Sequence, residues 1–160
     1  MESSPRNRPG EIGENVMIIL VTVAQLIFFT FFHRYIAWPT TAPDGTLTRL
    51  SMLTDAYFTW LPFPIAASII VIVASIVMII NQNYWFRQAV WVGFCLIGIA
   101  VVVSLVTIFP FDFSVLPNAT AVEVVPKAVT AFLILQATFY GIAAVVLFVR
   151  LRKHMAGGNR

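Results

Sequence analysis

The sequence contains very little charge, and none of it lies in the middle of the long apolar runs. Charged residues make up 11% of the 160-residue chain and hydrophobic residues 59%, whereas a soluble domain carries about 25% charged residues. No charged residue lies between Arg87 and Asp112, or between Lys127 and Arg150. A helix needs roughly 20 apolar residues to cross the hydrocarbon core of a bilayer. Each of these two runs is therefore predicted to cross a membrane.

Residues that carry out chemistry are also scarce. An ionisable group in the middle of a span marks a proton relay, an ion path or a substrate counter-ion; its absence argues against a proton-coupled carrier or a charged pore. His33 and His154 flank opposite membrane faces, about 30 Å apart, so they cannot share a haem iron. The sequence has no metal or phosphate-loop motif, and its single Cys95 cannot form an intrachain disulfide. We predict no enzyme activity, no cofactor and no metal site.

Four apolar runs are long enough to cross a membrane. We predict an all-α membrane protein with four transmembrane helices in an antiparallel bundle. The predicted domain covers 15–154, between flexible tails at 1–14 and 155–160. Its spans cover about 15–33, 61–80, 89–109 and 126–149. A secretory signal is the alternative interpretation of the first run, but the run is longer than the 7–15 apolar residues usual for a signal.

The basic residues predict an orientation. Four spans place both termini on one side of the membrane. That side carries Arg6, Arg8, Arg87, Arg150, Arg152, Lys153 and Arg160, against Arg34, Arg49 and Lys127 on the other. Lys and Arg accumulate in cytoplasmic segments, so both termini are predicted to be cytoplasmic. The basic residues flank apolar runs and form no patch for nucleic acid. A glycosylation sequon, Asn118-Ala119-Thr120, falls on the outer side.

The first outer connection, residues 33–60, contains a helical pattern. Apolar residues recur there at steps of three and four, with polar residues between them: Leu47, Leu50, Leu53, Tyr57 and Trp60. That period is typical of an amphipathic helix. We predict a short helix lying in the headgroup plane. The alternative is a loop packed over the helix ends.

Two uncharged polar residues fall near the centres of spans. They are Gln25 in the first span and Gln136 in the fourth, with Tyr140 one turn beyond Gln136. We favour interhelical hydrogen bonds, worth roughly 0.6–2 kcal/mol per contact; the alternative is contact with a small polar ligand. Gly93 and Gly141 belong to stripes of small residues, which predict close helix packing with this chain or another.

Several outer charged residues are possible partner contacts. These are Asp112, Asp55 and Arg34. The alternative for Asp112 is a loop carboxylate that accepts hydrogen bonds from nearby N–H groups or pairs with an outer arginine. Glu123 and Lys127 are four residues apart, but a proline between them leaves a shared helical turn open.

Three functions follow from these features. The leading prediction is a non-catalytic accessory subunit of a larger membrane complex, in contact with membrane lipids and with other membrane subunits or a second copy. The second is a carrier, or part of a transporter, for a small neutral or lipid-like molecule held between Gln25, Gln136 and Tyr140. The third and weakest is an enzyme acting on lipid at the outer interface through Asp112, Asp55 and His33, since no nucleophile–base pair is present.

Overall fold

The computed structural model describes residues 8–41, 44–81 and 83–157, and it is mostly helical. Its elements are α1 (Arg8–Ile27), a π-helical segment (Phe28–Phe32), a 3-10 turn (His33–Tyr35), β1 (Ala37–Thr41), β2 (Leu47–Ser51), α2 (Ala56–Trp60), α3 (Pro62–Ile80), α4 (Tyr84–Ile108) and α5 (Ala119–Gly157). Within the described residues, four helical stretches are long and apolar enough to cross a membrane: Gly10–Tyr35, Ala56–Ile80, Tyr84–Ile108 and Ala119–Lys153. These four helices support the prediction of a helical, membrane-embedded protein.

The helices extend beyond the predicted spans. Residues 8–14, predicted to be a tail, are helical because α1 begins at Arg8; residues 1–7 lie outside the described range. α5 begins at Ala119 rather than Pro126 and contains 39 residues. At 1.5 Å per residue it is about 58 Å long, well beyond the hydrocarbon core of about 30 Å. The helices therefore continue into the segments that flank the predicted spans.

α5 begins seven residues before Pro126, which therefore lies inside the helix. The Asn118 side chain accepts a hydrogen bond from the Thr120 backbone N–H at 2.9 Å, and thus caps the helix upstream of the proline. Lys127 Nζ lies 2.7 Å from Glu123 Oε1 across one helical turn. The shared turn that the sequence left open is present.

The prediction of one amphipathic helix in the outer connection is wrong for its first half. β1 and β2 form an antiparallel hairpin in which Ala37 pairs with Ser51 and Thr41 pairs with Leu47. Only Ala56–Trp60 is helical, and it leads directly into α3. A strand that packs on a core shows alternating apolar and polar residues, but all five residues of β2 are exposed, so the sequence carries no such signal.

Turn chemistry favours the hairpin. Asp44 Oδ1 accepts hydrogen bonds from the Thr46 hydroxyl at 2.6 Å and from its N–H at 3.0 Å. Gly45 has φ +81°, which glycine adopts without strain. The hydrogen bonds from the Thr46 side chain, and then from its N–H, hold the pKa of the Asp44 carboxyl below its ordinary value.

The end of the molecule that carries the hairpin is held together by two loops. The Thr54 N–H donates to the Pro110 carbonyl at 2.9 Å, and the Asp112 N–H donates to the Met52 carbonyl at 2.8 Å. α4 ends at Ile108, and the next residue, Phe109, has a left-handed backbone (φ 42°). Backbone hydrogen bonds therefore join the segment after β2 to the loop after α4.

A π-helical segment prolongs α1 at this end. Such segments leave backbone groups outside the α-helical pattern. Here the Tyr57 hydroxyl donates to the Phe29 carbonyl at 2.7 Å. The Phe29 ring contacts Trp60 edge-on at 5.5 Å, and the His33 ring stacks on Tyr57 at 5.2 Å. The start of the second span thereby anchors the end of the first.

The long helices pack in an ordered series. α1 packs along α3, α3 contacts α4, and α4 packs along α5. Among the described residues, no extensive contact joins α1 to α5. These two helices therefore stand apart, on either side of the space described next.

Candidate ligand-binding cavity

A cavity of about 320 Å³ lies among the four long helices. Its wall includes residues from α1, α3, α4 and α5, mostly with apolar side chains. The lining residues with polar or thiol groups are Thr22, Gln25, Ser68, Cys95, Gln136 and Tyr140. We call this space the central cavity.

The central cavity brings together three residues singled out from the sequence. Gln25 comes from α1, whereas Gln136 and Tyr140 come from α5, and all three line its wall. Gln25 is exposed, and the two α5 residues are half-buried. An amide within a hydrocarbon layer requires a hydrogen-bonding partner, because water is not there to supply one. The arrangement therefore favours a polar group in the space between α1 and α5.

One polar contact crosses a turn of α5 inside the cavity. Gln136 Nε2 donates to Tyr140 Oη at 3.5 Å. This is longer than the 2.7–3.2 Å of ordinary N–H···O bonds. A glutamine amide offers two donors and an acceptor, so the Gln136 side chain retains most of its hydrogen-bonding capacity.

The close approach of α4 and α5 occurs at Gly98, which sequence reasoning missed. A Cβ at this position would lie 3.0 Å from Tyr140 Cε2. A Cβ at Gly93 or Gly141, the two glycines selected from the sequence, would meet nothing within 4 Å. Gly98 lies three residues after Cys95 and seven after Trp91, on one helical face. The shared face does not by itself reveal the contact with Tyr140, because the sequence does not say which residues line the cavity.

The central cavity is uncharged. Its described lining contains no Asp, Glu, Lys, Arg or His. Across the described parts of the chain, no three His, Cys, Asp or Glu side chains are grouped to hold a metal ion. The arrangement can donate and accept hydrogen bonds, but it offers a charged ligand no counter-ion.

A second cavity, of about 260 Å³, lies where α4 begins. We call it the terminal cavity; its lining residues are Glu11, Tyr84, Arg87, Gln88 and Trp91. Arg87 Nη1 lies 2.5 Å from Glu11 Oε1, and Nη2 lies 3.8 Å from Glu14 Oε2. The Arg87 side chain is only 15% exposed. This ion pair could not be predicted from the sequence, because both glutamates fall within the predicted tail at 1–14.

The outer charged residues selected from the sequence have separate local roles. Asp112 Oδ1 accepts the Ser114 N–H at 2.9 Å; hydrogen bonding from the Ser114 side chain, and then from this N–H, lowers the pKa of the Asp112 carboxyl. Asp55 precedes α2 without a side-chain capping bond, and Arg34 is exposed in the 3-10 turn. Asp112 thus acts as the loop carboxylate that formed the alternative interpretation.

His33, the histidine of the third functional prediction, is engaged in structural contacts. Its Nδ1 lies 3.1 Å from the Thr30 carbonyl, which places the proton on Nδ1 if the contact is a hydrogen bond. Its ring stacks on Tyr57 and contacts Phe58 edge-on. These contacts fix the His33 ring against Tyr57 and Phe58.

No protein-family model, curated protein or solved structure matches this chain. The fold and the central cavity define the class of protein: a membrane-embedded helical protein with an uncharged, partly open cavity whose mostly apolar wall carries a few polar groups.

Proposed function

We propose that this protein binds a small neutral molecule in the central cavity, as a carrier or a component of a transporter, without catalysing a reaction. The observation that carries the proposal is the convergence of Gln25, Gln136 and Tyr140 on one uncharged space. Its volume of about 320 Å³ lies at the lower end of the roughly 300–1,000 Å³ of ligand pockets. The ligand is therefore small.

The lining also defines the chemistry of the ligand. The two amides and the phenol provide hydrogen bonds, whereas Val71, Phe94 and most other lining residues are apolar. Ligand pockets combine an apolar wall with a few polar groups that fix orientation. The molecule accordingly has at least one uncharged hydrogen-bonding group and an apolar portion.

The proposal includes an antiparallel arrangement with both termini in the cytoplasm. Two contacts at one end of the molecule support it. Arg87, near the start of α4, pairs with Glu11, near the start of α1, and Trp85 Nε1 lies 3.2 Å from Met155 Sδ, near the end of α5. The basic residues at this end favour the cytoplasmic side.

An accessory subunit is the second candidate. Gln25 is exposed, and Gly93 and Gly141 have open space where a side chain would project. A helix of another membrane protein could cover the amide and pack against either glycine. In that case the space beside Gln25 would hold protein rather than a small molecule.

Native mass spectrometry of the protein extracted from its native membrane tests the proposal. The expected result is a small-molecule adduct on the intact chain that is lost in the variant Gln25→Leu/Gln136→Leu. Thr138→Val is the control, because the Thr138 hydroxyl donates to the Ile134 carbonyl of its own helix. A mass without an adduct, or an adduct unchanged in the double variant, would contradict the proposal; a bound second protein would favour the accessory subunit.

A further inference from the structure

Trp91 lies between the two cavities. It lines the central cavity and the terminal cavity at once, and no other residue is common to the linings of the two. The Trp91 ring contacts Phe94 edge-on at 5.7 Å. Its indole therefore forms a partition between a charged space at the end of the molecule and an uncharged space inside it.

One face of α4 continues through both cavities. The residues on it recur at steps of three and four: Tyr84, Arg87, Gln88, Trp91, Cys95 and Gly98. Residues at these spacings share a helix face. From Arg87 to Cys95 the helix rises about 12 Å. The face passes from a charged end, through Trp91, to the uncharged interior.

The terminal cavity has the chemistry of a water-filled space. Arg87 and Glu11 are ion-paired at its wall, and Glu14 reaches the same arginine. Gln88 Oε1 is buried without a hydrogen-bonding partner, and a buried amide oxygen in a polar cavity is a site for water or a polar solute. These polar groups offer no favourable contact to the acyl chain of a lipid.

We propose that the ligand reaches the central cavity from water at the end that carries Arg87, through the terminal cavity, when the Trp91 side chain moves aside. The inference rests on the proposed function and deepens it. It identifies the ligand as a water-soluble neutral solute rather than a lipid that enters between α1 and α5. Trp91 is the residue that determines access.

The single cysteine provides a test within the natural chain. Cys95 is the only thiol, it lines the central cavity, and it is 7% exposed. The probe is 2,3-dihydroxypropyl methanethiosulfonate, a small, neutral and water-soluble reagent that crosses bilayers slowly. The Cys95 thiolate attacks its sulfenyl sulfur, forms a mixed disulfide and releases methanesulfinate. The reaction rate is measured in proteoliposomes of known orientation, with reagent on one side at a time.

The expected result is an increase of about tenfold in the Cys95 reaction rate in Trp91→Ala, only with reagent on the Arg87 side. Trp85→Ala is the matched control: Trp85 is also on α4, is 51% exposed and lines neither cavity. Its rate should equal that of the wild type. If Trp91→Ala does not fold, Trp91→Phe, which shortens the partition, should give a smaller increase with the same sidedness.

An unchanged rate in folded Trp91 variants would overturn the inference, as would equal increases from both sides. Lipid-soluble N-ethylmaleimide should modify Cys95 in every variant, which establishes that the thiol reacts. Because no ligand is present in this experiment, its failure rejects the access route alone. Loss of the small-molecule adduct in native mass spectra concerns the proposed binding site and is a separate outcome.

Discussion

Tyr140 lies against Gly98, and this contact couples the packing of α4 and α5 to the shape of the central cavity. A Cβ on Gly98 would be 3.0–3.1 Å from three atoms of the Tyr140 ring. The same tyrosine holds the long hydrogen bond with Gln136. Any residue larger than glycine at this position must displace the ring, and the hydroxyl moves with it.

Gly98→Ala is therefore expected to destabilise the protein. Overpacking costs typically 1–3 kcal/mol, more than the 0.5–1 kcal/mol gained by replacing a helical glycine with alanine. Gly93→Ala is the control, because its Cβ meets nothing within 4 Å, and it should be neutral or stabilising. Reversible unfolding in mixed micelles, followed by circular dichroism, measures both. Equal stability of the two variants would show that the contact with Tyr140 is not tight.

The ion pair at the start of α1 and α4 should contribute more to stability than the exposed pair on α5. Arg87→Gln removes a charged partner of Glu11 in a mostly buried site, where a hydrogen bond to a charged group is worth about 1.5–3 kcal/mol. Glu123→Gln disrupts a pair whose side chains are both 72% exposed, and should change stability by about 0–1 kcal/mol. The free energy of unfolding compares them. A similar small loss in both would contradict the structural role of Arg87.

Tyr57→Phe should weaken the attachment of the π-helical segment to the second span. The substitution removes the donor to the Phe29 carbonyl in a place where Tyr57 is 3% exposed. An unsatisfied buried acceptor costs about 1–3 kcal/mol. Tyr35→Phe is the control, since Tyr35 is 60% exposed and should change stability by no more than about 0.5 kcal/mol.

Hydrogen exchange of the backbone amides in 28–32 localises the effect of Tyr57→Phe. Faster exchange in this segment, with little change in α4, is the expected pattern. Uniform exchange across all helices would show instead that Tyr57 acts on the whole fold rather than on this junction.

The hairpin turn should depend on pH through Asp44. Its folded-state pKa is lowered by the hydrogen bonds from Thr46, so the carboxylate stabilises the turn at pH values above its ordinary pKa. This contribution is lost as the pH falls through the lowered pKa. The amide chemical shift of Thr46 should follow this titration, and in Asp44→Asn it should be independent of pH over the same range. A titration above the ordinary value would contradict the hydrogen-bonded turn.

The spans could be predicted from the sequence because a bilayer imposes a length and an apolar composition on any helix that crosses it. The ends of the helices could not be predicted, since segments beyond the predicted spans, such as 8–14 and 119–125, are also helical. The hairpin was missed because Leu47 and Leu50 fit a helical period, and because β2, exposed along its whole length, carries no alternation of apolar and polar residues. The residues that indicate the hairpin are Asp44 and Gly45, which form its turn. A prediction made from the spacing of apolar residues takes no account of turn residues.

The candidate site could be predicted in part. Gln25 and Gln136 stood out because uncharged polar residues are uncommon in apolar spans, and the structure places both on one cavity wall. The sequence could not identify the roles of Trp91, Gly98 and the Arg87–Glu11 pair, because these roles depend on which helices are neighbours. A tryptophan near a span end is typical of a membrane interface, so its position between two cavities gave no separate signal.

A high-resolution density map of the protein in a lipid nanodisc, made from its native membrane, tests the central claim most directly. The account predicts compact non-protein density in the central cavity, within hydrogen-bonding distance of Gln25, Gln136 or Tyr140. A cavity closed by direct packing of α1 on α5, or filled by a helix of another chain, would contradict it.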